Sequence, residues 1–226
     1  MRSSDSISGS PALQVESLAV IAGGLKCSDD GQSRADEKLF TGRTEALEKI
    51  GAYLRVGNAG PLAVCGVSGS GKSTVMARAV AAAQAKHPQA EIIFRFIGVT
   101  PESTQARALL ESLCRQISSR YGMERPVPTQ YLKLCQDFSA RLEDIPANKP
   151  LYLFLDALDQ LSNLNNARSL NWLPIGLPSQ VRLVVSTSLD SPCCSPGCSP
   201  RPSARCSLHN ATRYSKDLNI RRCRFI

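Results

Sequence analysis

Residues 66–73, Gly66-Val67-Ser68-Gly69-Ser70-Gly71-Lys72-Ser73, carry the densest chemistry in the chain. They follow the pattern G-x-x-x-x-G-K-[ST] in full. Each position has a physical reason. Gly66, Gly69 and Gly71 let the backbone fold tightly with its N–H groups turned inward, a concave donor set that suits phosphate oxygens. Ser68 and Ser70 place small hydroxyl side chains in the same loop. A helix starting at Lys72 directs its partial positive end at the same point. Lys72 offers an ammonium to the outer phosphates, Ser73 offers a hydroxyl to a divalent cation, and Thr74 extends the helical turn that closes the loop. The ligand expected from this set is a nucleoside triphosphate with Mg2+. No N-K-x-D run reads a guanine base, so ATP is expected over GTP.

A second signal is Leu151–Leu161, LYLFLDALDQL. Asp156 directly follows a wholly apolar run, at the carboxyl end of an expected strand. In open α/β sheets ligands sit at that edge, and a carboxylate there can hold magnesium. Asp159, three residues on, is a candidate for orienting an attacking water. Both aspartates would also suit the start of a helix. Ser186 and Thr187 follow another apolar run, Val181–Val185, and a hydroxyl there would face a γ-phosphate; Ser and Thr are equally common turn formers. Arg182 begins that run and belongs at the opposite edge. Arg43, after Gly42, is a candidate contact for the base or ribose, and equally suits an exposed position leading into a helix.

These residues need a scaffold, and the apolar pattern supplies one. A helical face of Leu47, Ile50 and Leu54 begins near Thr44. Leu62–Cys65, Glu91–Val99, Leu151–Leu155 and Val181–Val185 read as strands. Helices are expected over Lys72–Ala85, over a Ser103-capped segment with Leu109, Leu110, Leu113, Cys114 and Ile117 on one face, and over Thr129–Leu142. Strands alternating with helices imply parallel βαβ units. The expected fold is a three-layer α/β/α arrangement with a mostly parallel sheet, ending after its fourth core strand. Residues 1–36 read as a disordered segment with at most one short helix. Residues 37–190 read as the nucleotide-binding domain, and 191–226 as a basic Pro/Cys-rich tail.

Charge and cysteine usage agree with that division. The chain of 226 residues has a formal charge of +8. The tail holds seven basic residues, Arg201, Arg205, Arg213, Lys216, Arg221, Arg222 and Arg224, against Asp217 alone. The globular part is therefore close to neutral, and nucleic acid is not the expected partner. No apolar run approaches the roughly 18 residues that cross a membrane, and the polar start lacks a secretion signal, so a cytoplasmic location is expected. Cys193, Cys194, Cys198, Cys206 and Cys223 lie in the tail with His209, without the paired C-x-x-C units of common zinc folds. Cys27, Cys65, Cys114 and Cys135 are scattered.

Taken together, these segments resemble the STAND class of P-loop ATPases, and within it the NACHT domains. Phe40-Thr41-Gly42-Arg43-Thr44-Glu45-Ala46-Leu47 is similar to the segment that opens such domains. Asp156-Ala157-Leu158-Asp159 resembles their Walker B form. FIGVTPESTQARALLESLCRQI and NWLPIGLPSQVRLVVSTSLD resemble NACHT proteins of the nephrocystin and telomerase-associated-protein kind, many of which carry WD or TPR repeats. The resemblance spans about residues 38–190. It implies the sheet order of the additional-strand ATPases, with Val181–Val185 between the strands that carry Gly66 and Asp156. It also implies an ATP-driven, slowly hydrolysing signalling switch that controls self-association or protein partners. Two other readings stay open: a non-hydrolysing nucleotide-binding scaffold, and a small-molecule kinase. Gln160 departs from the Glu often found beside the second acid, and no Arg follows Ser188. The subdomains that follow such a domain have no counterpart after Asp190, as in a truncated form.

Overall fold

The computed structural model describes residues 33–56, 60–174, 176–188 and 221–224, with side chains described over 43–56, 60–174 and 176–188. The scattered Cys27, the apolar Leu18–Ile21 stretch and the tail's candidate zinc ligands lie outside the described side chains. Helix α1 is Ser33–Val56, β1 Leu62–Gly66, α2 Lys72–Lys86, β2 Glu91–Phe96, α3 Ala106–Tyr121, α4 Tyr131–Glu143, β3 Leu151–Asp156, β4 Val181–Ser188 and β5 Arg221–Arg224. Short 3-10 turns at Glu102–Thr104, Leu158–Gln160 and Leu164–Ser169 decorate the loops.

All strand pairs are parallel, in the order β2-β3-β4-β1-β5. The strand carrying Ser186 therefore lies between the strand that ends at Gly66 and the strand that ends at Asp156, as expected. Side-chain parity sorts the two faces. Tyr152, Phe154, Val184, Leu62, Val64 and Phe94 pack with α1 and α2, through Ala46, Ile50, Leu54, Val75, Met76 and Val80. Leu151, Leu153, Leu155, Leu183, Val185, Ala63, Cys65 and Ile93 pack with α3 and α4, through Leu110, Leu113, Ile117, Leu134 and Phe138. β3 is buried along its whole length on both faces, which is what an uninterrupted apolar run in a central parallel strand requires. Each such buried side chain contributes roughly 1.5–3 kcal/mol of transfer free energy.

Several boundaries differ from the sequence reading, each for a local reason. α1 begins at Ser33, so Gly42 lies inside a helix instead of making a turn before it. Good helix formers on its amino side (Ala35, Glu37, Lys38, Leu39) offset a glycine cost of about 1 kcal/mol. Ser103 does not cap α3, which starts after Gln105 with no side-chain cap. Its hydroxyl instead accepts the N–H groups of Gly98 at 3.0 Å and Thr100 at 3.1 Å, closing the loop after β2. The residues after Asp156 form a single 3-10 turn, not the start of an α-helix.

The largest difference is β5. The sheet was expected to end with its fourth strand, yet Arg221–Arg224 pairs with β1 from Leu62 to Cys65. Strand addition is a backbone interaction, and the free edge of β1 offers N–H and C=O groups to any extended segment. A basic sequence without apolar periodicity is therefore no bar to it.

One side chain fastens α1 to the sheet. Tyr53 donates its hydroxyl to the Gly60 carbonyl at 2.9 Å and accepts the Leu183 N–H at 3.1 Å. Leu183 precedes Val184, where pairing with β1 begins at Leu62. α1, β1 and β4 are thereby held in register just below the site.

Candidate functional site

β1 ends at Gly66, and the loop from Val67 to Gly71 returns the chain into α2. Gly69 has φ +75° and Gly71 φ +84°, a region in which an L side chain is strained. Gly71 is constrained twice. A Cβ there would stand 2.9 Å from Nη2 of Arg43, because the guanidinium lies against the loop. Arg43, proposed from sequence as a contact for base or ribose, is thus brought to the glycine loop from α1. Ser70 N–H donates to the Val67 carbonyl at 3.3 Å, and Val75 N–H to Gly71 at 3.1 Å.

Lys72 extends back over the loop. Its ammonium donates to the carbonyls of Gly66 at 3.0 Å and Val67 at 2.8 Å, so the positive charge sits at the mouth of the glycine turn. The first turn of α2 contains no acid to neutralise its positive end. The Ser70 hydroxyl is buried and has no hydrogen-bond partner among the described residues. Ser68 and the exposed Val67 complete the loop, and Ser73 and Thr74 occupy the first turn of α2. A buried orphan hydroxyl, positive-φ glycines and an ammonium held over the loop are features that a polyphosphate would satisfy.

Asp156 closes the other side. It ends β3 at 4% exposure and, with Arg141, is one of two buried charged side chains among the described residues. Parity turns it to the α2 face. Burial holds its carboxyl above the ordinary carboxylate range; hydrogen bonds from Ser186 and Ser73 and the charge of Lys72 pull the other way, and the charge of Asp159 adds to the rise. The hydroxyl of Ser73 and the carboxylate of Asp156 therefore meet beside the Lys72 ammonium. That is an oxygen donor set suited to Mg2+, a hard cation that binds through one or two protein oxygens with phosphates and water.

Ser186 has a different placement from the one read in the sequence. Instead of facing outward to a γ-phosphate, its fully buried hydroxyl donates to Asp156 Oδ1 and accepts the Ala157 N–H at 2.8 Å. The reason is parity again: residue 186 shares the face of Asp156 on the neighbouring strand. Ala157 has φ +60°, unusual for a residue with a side chain, and this turns the chain sharply after Asp156. Asp159 consequently reaches β4, where Oδ1 accepts the Ser188 N–H at 2.8 Å. Its Oδ2 accepts the Gln160 amide at 2.7 Å. Thr187, half-buried, lies level with Cys65 on β1. Arg182 lies at the far edge as expected, bound to the carbonyls of Ser179 and Val181. The sequence reading missed the contact of Gln160 with Gly98; the glycine itself, with φ +87°, was the available signal.

Comparison with known proteins agrees with this geometry. The family described as "AAA ATPase domain" matches residues 39–185. The chain is 33% identical over 156 residues to human NACHT and WD repeat domain-containing protein 2, covering 64% of this chain and 9% of that protein. It is 32% identical over 165 residues to human NACHT domain- and WD repeat-containing protein 1, covering 69% of this chain and 10% of that protein. The expected kinship with NACHT proteins is borne out, and the chain spans about a tenth of the length of these relatives. Among solved structures, a chain from Drosophila ORC bound to DNA superposes with a TM-score of 0.52 at 14% identity, covering 84% of this chain and 93% of that one. That likeness speaks to the fold. Among the described residues, no helix is long and apolar enough to cross a membrane, and no group of three or more His, Cys, Asp or Glu side chains could hold a metal ion by itself.

Proposed function

The chain belongs to the AAA ATPase domain family, and from that premise we propose that it binds ATP with Mg2+ at Gly66–Thr74 and hydrolyses it slowly, as a nucleotide-controlled switch. The observation that carries this reading is the meeting of Ser73 with buried Asp156 beside Lys72. Bound Mg2+ would neutralise charge that develops on the phosphates.

The chain's own residues do the rest. The loop amides of Gly69–Ser73 and the Lys72 ammonium bind and orient the β- and γ-phosphates. Ser73 and Asp156 hold the cation, and Ser186 fixes the rotamer of Asp156. Arg43 adds a second positive group at the loop. Most of the rate enhancement comes from positioning and charge stabilisation, because the reaction asks for little covalent chemistry. In a longer relative-like protein, the nucleotide state would control self-association or protein partners. A second reading, a nucleotide-binding scaffold without turnover, is favoured by the engagement of both Asp159 oxygens within the chain.

Phosphate release from ATP, measured on the parent chain, Lys72→Ala and Asp156→Ala, separates the two. A switch with turnover releases phosphate in the parent and loses release by at least roughly tenfold in both variants. Tight binding with no release in the parent supports the scaffold.

A further inference from the structure

Asp159 is the second acid of the Asp156-x-x-Asp159 pair, and its carboxylate is occupied at both ends. Oδ1 takes the Ser188 N–H at the end of β4, and Oδ2 takes the Gln160 side-chain amide. Gln160 in turn packs on Gly98, where an added Cβ would stand 3.0 Å from the Gln160 Cβ. Gly98 N–H is held by Ser103, and Thr104 accepts the Ser162 N–H at 2.8 Å. Ile97 N–H donates to the carbonyl of Asp156 itself at 3.1 Å. An unbroken line of contacts therefore runs along the carboxyl edge of the sheet, from the end of β4 through the turn after β3 to the loop after β2.

We propose that Asp159 is a positioning residue, a latch joining β4 to the loop after β2 across the turn that follows Asp156, and not the group that takes a proton from the attacking water. The left-handed backbone of Ala157 directs Asp159 sideways along the sheet edge. Two donors fix the carboxylate in that plane. Asp156 is then clamped from both sides: Ser186 binds its carboxylate, and the Asp159 latch closes the turn behind it. Opening the latch loosens Asp156 and the cation it holds. The kinetic consequence rests on the ATPase reading above; the structural one does not.

The two roles part on an isosteric substitution. In Asp159→Asn, the amide oxygen still accepts Ser188 N–H. Its NH2 can donate to Gln160 once the Gln160 amide turns over, so both contacts survive while the base is lost. In Asp159→Ala both contacts are lost. The full chain and the two variants would be compared by steady-state phosphate release from MgATP and by amide hydrogen exchange at Ser188. As a latch, Asp159→Asn keeps kcat within about threefold of the parent, whereas a general base contributes on the order of 10²-fold or more. Asp159→Ala lowers kcat at least roughly tenfold and speeds Ser188 exchange, and the Asn variant restores both. A collapse of turnover in Asp159→Asn, with Ser188 still protected, overturns the proposal. A parent chain with no phosphate release counts against the ATPase reading instead. The exchange arm then decides: faster Ser188 exchange in Asp159→Ala alone supports the latch, and unchanged exchange overturns it.

Discussion

Ser186 sets the orientation of the carboxylate beside it while satisfying the N–H of a strained residue. Its replacement by alanine removes a donor from buried Asp156 and an acceptor from Ala157 N–H. Ser186→Ala should lower folding stability by about 1–3 kcal/mol, the cost of unsatisfied buried groups, and this is measurable by urea unfolding. Asp156→Asn should act in the opposite sense. Burial disfavours the charged form there, so the amide should raise stability in metal-free neutral buffer while weakening magnesium-dependent nucleotide binding. Calorimetry with and without MgATP checks both halves. Cys114 gives a third expectation at this scale. Burial pushes its thiol up to about 12, so alkylation at pH 8 should leave it unmodified in the folded chain and label it after unfolding. The glycines, Lys72, Ser73 and Asp156 were legible in the sequence because each belongs to a contiguous motif. The partner of Ser186 was not, since it lies on a strand 30 residues away and depends on pairing register. The direction of Asp159 was hidden too, because it follows from a left-handed Ala157 that alanine rarely adopts.

Among the elements, the α3–α4 pair shows what periodicity finds and what it omits. Their apolar faces were readable, and both pack on the sheet as expected. Between them lies a fully buried arginine that no hydrophobic pattern reveals. Arg141 binds Asp137 at 2.6 Å through Nε, Ser118 through Nη1, and the carbonyls of Arg125 and Pro126 at 3.0 and 3.2 Å through Nη2. It ties α4 to α3 and to the Pro-rich connection between them. Each of its three nitrogens has at least one acceptor, and pairing of this kind is the condition under which a buried guanidinium is tolerated. Arg141→Ala would leave Asp137 with only the longer Arg125 ion pair at 3.7 Å and remove the donor from three further acceptors, and should cost about 3–5 kcal/mol. Chemical denaturation measures that loss, and nucleotide affinity measured well below the melting transition should change little. The network was illegible because, although Arg141 shares the apolar stripe of Leu134 and Phe138, three of its four partners, Ser118 and the carbonyls of Arg125 and Pro126, lie outside α4.

For the whole molecule, the sheet order places β1, which feeds the glycine loop, beside β4 and then β3, which carry Ser186 and Asp156. Three strand ends and one helix start meet at a single edge, so the site is a consequence of parallel topology. That part of the fold followed from alternating strands and helices and from the NACHT resemblance. β5 did not, because a backbone-driven edge pairing leaves no apolar signature. A chain ending at residue 218 would expose the outer edge of β1, the strand that ends at Gly66. It should melt several degrees lower, about 2–4 °C for each kcal/mol lost, and scatter more light on heating. The most direct test of the account is titration of the full chain with MgATP by calorimetry, in parallel with Lys72→Ala. The account predicts saturable binding by the parent and at least roughly tenfold weaker binding by the variant, since each tenfold corresponds to about 1.4 kcal/mol and Lys72 supplies a charge-assisted contact. Equal affinity in the two proteins, or no binding by the folded parent, would contradict it.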